Sequence, residues 1–124
     1  MPHVVFDKEI YIESLSVEFK ETMLKEPFLI KLLDVYTNKE KRTALVPAVV
    51  IDKLHQQFLI EISTRKDKTT IRLFPGTDPE KTEGVKMSLG LTAKIIQEMN
   101  PNLKITRTNI DAFLFKPEAN KINV

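Results

Sequence analysis

Residues 57–74, QFLIEISTRKDKTTIRLF, decide the fold class, because two runs rich in β-branched and aromatic residues flank a short polar segment. This pattern is typical of a β-hairpin. Pairing residues whose numbers sum to 133 places Ile60 opposite Leu73 on one face, and Glu61 opposite Arg72 on the other. Opposite charges directly across two strands stabilise the pairing. A shift of one residue would lose both matches, so the sequence predicts this register.

The apolar segment 43–51, TALVPAVVI, predicts a third strand that precedes the hairpin. If a loop over 52–56 joins it to the first strand of the hairpin, residues of the two strands pair where their numbers sum to 108. This register places Ala48 opposite Ile60. Pro47 cannot donate a ladder hydrogen bond, so we expect this strand to lie at a sheet edge or to carry a bulge.

The first third of the chain predicts a strand over 4–12 and then a helix. Leu15, Phe19 and Met23 recur at four-residue spacing, which is typical of one apolar helix face. The predicted first helix covers 16–26.

The segment 28–36, FLIKLLDVY, fits two structures. Its length and the turn-forming residues after it suit a strand. The intrinsic propensity of Leu and Lys favours a helix, and a helix is the prediction.

The second half predicts one long helix and a last strand. Asp78 is the expected N-cap, because its carboxylate can accept hydrogen bonds from free backbone amides. Asn100 and the proline after it end the helix. Gly84 and Ser88 are expected to let the helix pack closely within the monomer, and the last strand begins at Leu103.

These elements predict an α+β domain with a single antiparallel sheet and helices packed on one face. Ferredoxin-like-plus-strand and profilin-like arrangements both fit the order of elements. The predicted domain covers 1–116, and a polar, mobile tail follows over 117–124. The expected core is Phe19, Phe58, Ile60, Ile62, Ile71, Leu73, Leu89, Ile96 and Ile105.

Composition narrows the classes of function. With no cysteine in the chain, a disulfide framework, a thiolate metal site and a cysteine nucleophile are excluded. Cofactors and metals are not expected, and a reducing cytoplasm is the expected compartment. No apolar run approaches the roughly 18 residues of a membrane helix, so no membrane association is predicted.

Charge is distributed unevenly along the chain. Residues 1–62 carry 8 basic and 10 acidic side chains, whereas residues 63–124 carry 11 and 7, a net charge of +4. The predicted hairpin tip concentrates four cations that can contact phosphates. A solvated turn is the preferred interpretation, because strong nucleic-acid binders usually show a larger excess. A structure can decide between a phosphate-binding surface and a solvated turn by showing whether six cations share one face. These are Arg65, Lys66, Lys68, Arg72, Lys104 and Arg107.

No motif identifies a catalytic site. Asp52 precedes His55 by three residues, but no nucleophile lies at a recognisable spacing from them. His3 lies near the beginning of the chain and is expected to be incidental. Catalytic residues stay unknown, and the sequence disfavours an enzyme without excluding one.

Strand 43–51 is apolar on both faces, and this predicts self-association. If one face packs in the core, the other forms an apolar patch of a size that monomers seldom leave bare. A helix over 28–36 can cover this patch, and a second copy is the alternative. The favoured function is a non-enzymatic protein-interaction module that forms a homodimer, with a nucleic-acid-binding module as the alternative. The expected patch is Leu45, Val49, Ile51, Leu59 and Phe74.

Overall fold

A computed structural model describes residues 1–115, which form an α+β fold with one strongly curled antiparallel sheet. In this part of the chain the strands are β1 (His3–Phe6), β2 (Thr22–Leu24), β3 (Leu29–Leu32), β4 (Tyr36–Thr37), β5 (Thr43–Ile51), β6 (His55–Arg65), β7 (Lys68–Leu73) and β8 (Ile105–Thr108). The helices are α1 (Ile12–Glu18), α2 (Glu83–Met99) and a 3₁₀ turn (Asp111–Phe113). The predicted tail, 117–124, lies outside the described residues.

The strand order is β2-β3-β5-β6-β7-β1-β8, and β4 pairs with β5 beyond the end of β3. The predicted α+β class with one antiparallel sheet is confirmed. The ferredoxin-like and profilin-like arrangements are not confirmed. Both helices contribute side chains to one hydrophobic cluster on a single face of the sheet, here called the inner face.

The hairpin register is confirmed, since Ile60 lies opposite Leu73 and Glu61 opposite Arg72. The turn consists of Lys66 and Asp67, whose φ angles are 53° and 64°. Two central residues with positive φ give a two-residue turn whose twist matches the flanking strands.

The predicted pairing of β5 with β6 is wrong by two residues. Ala48 lies opposite Phe58, and Val46 lies opposite Ile60, so the paired numbers sum to 106. The cause is a tighter turn, in which the Leu54 amide donates to Asp52 Oδ1 at 3.1 Å and β6 begins at His55. A shift of two preserves the side of the sheet on which each side chain lies.

The helix predicted over 28–36 is wrong, because this segment forms β3 and β4. Ile30 and Leu32 are buried and pair with Val50 and Ala48 of β5. The ladder and the core contacts of a neighbouring strand outweigh the helix propensity of Leu and Lys.

The first helix is shorter and earlier than predicted. α1 ends at Glu18, and Met23 lies on β2 opposite Lys31, where its side chain is 51% exposed. The four-residue spacing of Leu15, Phe19 and Met23 therefore does not mark one helix face. Leu15 alone of the three is buried, and Phe19 is half-buried.

Pro47 lies in an interior strand, so of the two predicted alternatives the sheet edge is wrong, while the irregularity is found in the pairing on one side of Pro47. Its carbonyl accepts a hydrogen bond from the Leu33 amide at 2.9 Å. Because proline has no N–H, the reciprocal bond cannot form. Regular pairing of β3 stops at Leu32, and pairing with β5 resumes at Tyr36.

The N-cap of α2 is Thr82, and the predicted cap Asp78 is wrong. The Thr82 hydroxyl accepts from the Val85 amide at 3.3 Å, while Asp78 forms an ion pair with Lys81. The predicted end at Asn100 is confirmed. Gly84 and Ser88 are buried within the monomer.

Most of the predicted core is confirmed. Phe19 and Ile105 are only partly buried against it. The buried members are Phe58, Ile60, Ile62, Ile71, Leu73, Leu89 and Ile96.

Candidate interaction surfaces on the outer face

The sheet face opposite the helices, here called the outer face, carries the residues that alternate with the core. In β5 the buried residues are Ala44, Val46, Ala48 and Val50. Leu45, Val49 and Ile51 therefore lie on the outer face. Strand alternation alone places them there, as the sequence predicted.

The outer apolar patch consists of Leu45, Val49, Ile51, Leu59 and Phe74, and strand pairing brings these residues together. Leu59 lies opposite Pro47, between Leu45 and Val49 on the neighbouring strand. The Phe74 amide donates to the Leu59 carbonyl at 2.9 Å, which places Phe74 beside it. Ile51 is 39% exposed, and the other four are partly buried by their neighbours on the sheet.

Strands β3 and β4 extend this patch. Leu29 pairs with Ile51, and Tyr36 pairs with Leu45. Leu33 lies beside Pro47 and is 38% exposed, while Tyr36 is 60% exposed. The segment that would have covered the patch as a helix therefore lies in the sheet and adds apolar surface to it.

The other half of the outer face is basic. Arg65, Lys66, Lys68 and Arg72 line one shallow depression of about 480 Å³, together with Ser63 and Thr70. Arg72 Nε donates to Glu61 Oε1 at 2.5 Å, in the cross-strand pair that the sequence predicted. The four cations of the hairpin thus share one surface.

A second depression, of about 440 Å³, continues this surface across β1 and β8. Its lining includes Val5, Thr106 and Arg107, and it shares Lys68 and Thr70 with the first. Arg107 is placed there because β8 pairs with β1, with Arg107 opposite Val5. Lys104 lines neither depression. We call the combined surface the basic face: Ser63, Arg65, Lys66, Lys68, Thr70, Arg72, Thr106 and Arg107.

A second basic cluster lies at residues 39–42, and two of its three cations form ion pairs. Lys41 contacts Glu13 at 2.9 Å, and Arg42 contacts Glu9 at 3.3 Å. Glu9 also accepts a hydrogen bond from the Asp67 amide at 2.9 Å, which ties the hairpin tip to the chain between β1 and α1.

The carboxylate of Asp52 has a structural role at the N-terminus of α2. It accepts hydrogen bonds from the backbone amides of Leu54 and Gly84, at 3.1 and 3.0 Å. Burial raises the pKa of Asp52, but bonds from the Thr82 side chain and from the Leu54, Gly84 and Lys53 backbone together lower it. Asp52 thus stabilises this helix end, rather than orienting His55 as a catalytic base.

The histidines and carboxylates of the described residues form no recognisable metal site. Between residues 1 and 115, no group of three or more His, Cys, Asp or Glu side chains is placed to hold a metal ion. His3 contacts the Met1 carbonyl at 2.9 Å, and His55 is exposed at the start of β6. Neither helix of the described chain is long and apolar enough to cross a membrane.

No family model, curated protein or solved structure is significantly similar to this chain.

Proposed function

We propose that this protein is a non-enzymatic interaction module that associates with a second copy of itself through the outer apolar patch. The observation that carries the proposal is the structure of residues 28–36. The alternative to a second copy was a helix over this segment that covers the patch, and the segment instead forms β3 and β4. The cytoplasmic location predicted from the sequence is part of the proposal.

The dimensions of the patch follow from the spacing of residues and strands in the sheet. Along β5, Leu45 and Ile51 are six residues apart, or roughly 20 Å at about 3.3 Å per residue. From β3 to β7 there are three strand spacings, or about 14 Å. The resulting area of sheet, about 300 Å², includes Lys31 and Gln57 and is at the low end of the largest apolar patches on monomers, which are often functional.

A second copy is a suitable partner because this surface is broad and lies on strands rather than in a cleft. A two-fold axis is the commonest symmetry of homo-oligomers and places the same patch on both sides of an interface. A standard interface covers about 800 Å² on each partner, so the patch would form its centre. Two polar residues, Lys31 and Gln57, lie opposite Val49 on the neighbouring strands, so they would be part of this centre, whereas His55 lies at its end opposite Ile51.

The mass in solution tests the proposal. Light scattering coupled to size exclusion, at tens of micromolar protein, should give about twice the monomer mass of 14.3 kDa. The variant Val49→Glu places a charge in the patch and should give the monomer mass.

Val17→Glu is the matched control, since Val17 is 82% exposed on α1, away from the patch. It should keep the wild-type mass. Melting curves of both variants establish that they fold. A mass of 14.3 kDa for the wild type, or equal effects of the two substitutions, would contradict the proposal.

A further inference from the structure

We propose that the basic face binds the phosphate backbone of nucleic acid, independently of self-association and without reading base sequence. The first observation is the juxtaposition of three separate segments. Ser63, Thr70, Val5 and Arg107 follow one another across β6, β7, β1 and β8 in paired positions. This row extends the hairpin's cations into a surface that spans four strands.

Charge is the second observation. Arg65, Lys66, Lys68 and Arg107 are exposed, and none forms an ion pair with any residue from 1 to 115. Three carboxylates lie close by: Glu61 is held by Arg72, Glu9 is held by Arg42 and the Asp67 amide, and Asp67 lies at the turn. The unpaired cations outnumber these carboxylates, so the surface favours a polyanion.

The hydroxyl groups are the third observation. Ser63, Thr70 and Thr106 lie among the cations in the two depressions. The Thr106 hydroxyl donates to the Val5 carbonyl at 3.4 Å, while the hydroxyls of Ser63 and Thr70 have no hydrogen-bond partner in the described chain. Lysine, arginine and hydroxyl side chains are the groups that contact nucleic-acid phosphates.

The dimensions also suit a backbone. Three strand spacings separate β6 from β8, which makes the surface about 14 Å wide. A duplex presents one charge per roughly 1.7 Å of axis, so a span of this length presents several phosphates. The lining contains no aromatic side chain for base stacking, so binding should tolerate any base sequence.

An anionic membrane is the rival ligand. Membrane-surface binding combines basic residues with inserted apolar side chains. Here the most exposed apolar side chains of the strands, Met23, Tyr36 and Ile51, lie on β2, β4 and β5, whereas the cations lie on and beside β6, β7 and β8. Ile51 is opposite His55, at the other end of β6 from Arg65. Val5 is the one apolar residue that lines the two depressions, so the basic face suits the phosphates of a nucleic acid better.

The test is the salt dependence of binding to a fluorescein-labelled DNA duplex of about 20 base pairs, followed by anisotropy. With about four phosphate contacts, the logarithm of the binding constant should fall with a slope of −3 to −4 against the logarithm of salt concentration. Affinity should then fall about 10²-fold between roughly 50 and 200 mM salt. A second duplex of unrelated sequence should bind within about threefold of the first, because backbone contacts carry no sequence information.

The double variant Lys68→Gln/Arg107→Gln removes two contacts and should make the slope shallower by about 2. The control Lys25→Gln/Lys39→Gln removes the same charge from exposed positions outside the basic face and should leave the slope unchanged. Both variants should keep the wild-type melting temperature.

Three results would overturn the proposal. The first is the absence of a salt-sensitive complex at about 50 mM salt, where phosphate contacts are strongest. The second is an equal loss of slope in the control variant, which would indicate an effect of net charge alone. The third is stronger binding to phosphatidylserine vesicles than to DNA, which would assign the basic face to a membrane.

Discussion

The two halves of the outer face belong to one sheet and differ in what lies on alternate positions. In β5 the outward residues from Leu45 to Ile51 are apolar, whereas in β7 they are Lys68, Thr70 and Arg72. The Glu61–Arg72 pair lies at the boundary, with Leu45 on one side of Glu61 and His3 beyond Arg72. One continuous core thus supports an apolar surface suited to a protein and a basic surface suited to an anion.

The turns that end the two halves differ as well. The β5–β6 turn is joined to α2 by the Asp52 carboxylate, which accepts from the Gly84 amide. The β6–β7 turn, Lys66 and Asp67, is exposed and is joined to the chain between β1 and α1 through Glu9. Changes in the first turn should therefore affect stability, and changes in the second should mainly affect binding.

The largest expected effect comes from the core that both halves share. Ile62 is fully buried on β6, so Ile62→Ala should lower the free energy of unfolding by about 2–5 kcal/mol. Ile51→Ala makes the same change on the outer face, where the side chain is 39% exposed, and should cost less than about 1 kcal/mol. Urea melts at low protein concentration measure both. Equal losses would mean that the inner and outer faces are assigned wrongly.

The next effect concerns the turn beneath the apolar half. Asp52→Asn weakens the hydrogen bonds to the α2 terminus and should cost about 0.5–2 kcal/mol at neutral pH, as the loss of a helix cap does. The pKa of Asp52 is lower in the folded protein, so the carboxylate stabilises the fold above its ordinary pKa of 3.8. This contribution is lost as the pH falls through the lower, folded pKa.

Urea melts of the wild type and of Asp52→Asn at several pH values measure how this contribution to the free energy of unfolding depends on pH. The difference between them should be constant from pH 5 to pH 7 and should shrink below about pH 4. A difference that grows on acidification would contradict the role given to Asp52.

A smaller effect tests the boundary between the halves. Glu61→Gln should lower stability by about 1 kcal/mol, the upper end of the range for exposed ion pairs, because Arg72 is 44% exposed but Glu61 only 13%. It frees Arg72, so the slope of the proposed DNA binding should become steeper by about 1. Unchanged or weaker binding would exclude Arg72 from the basic face.

The smallest expected effect lies at the hairpin tip. Asp67 has a φ of 64°, a conformation in which glycine has no steric penalty. Asp67→Gly should change stability by less than about 1 kcal/mol, and it should strengthen DNA binding by removing a carboxylate. A loss of more than 2 kcal/mol in thermal or urea unfolding would show that the Asp67 side chain stabilises the turn.

The hairpin could be predicted from the sequence because its two strands are adjacent in the chain and carry complementary charges at Glu61 and Arg72. The outer apolar patch could be predicted because alternation survives a register error of two residues. Residues 28–36 could not be assigned, since their strand conformation depends on β5 as a partner rather than on local propensity.

The extent of the basic face depends on contacts that are distant in sequence. The positive charge of the second half raised the question of whether Arg107 joins the hairpin's cations. The answer depends on β1 lying between β7 and β8, an order of strands that no local pattern encodes. The capping role of Asp52 similarly depends on the approach of α2 to the β5–β6 turn, 32 residues away in the chain.

The most direct test of the central claim is the mass of three proteins in solution under identical conditions. We predict about twice 14.3 kDa for the wild type and for Lys68→Gln/Arg107→Gln, and 14.3 kDa for Val49→Glu. This result would assign self-association to the apolar half of the outer face and leave the basic half free. A wild-type mass of 14.3 kDa throughout the peak, or a dimer that Val49→Glu does not dissociate, would contradict the account.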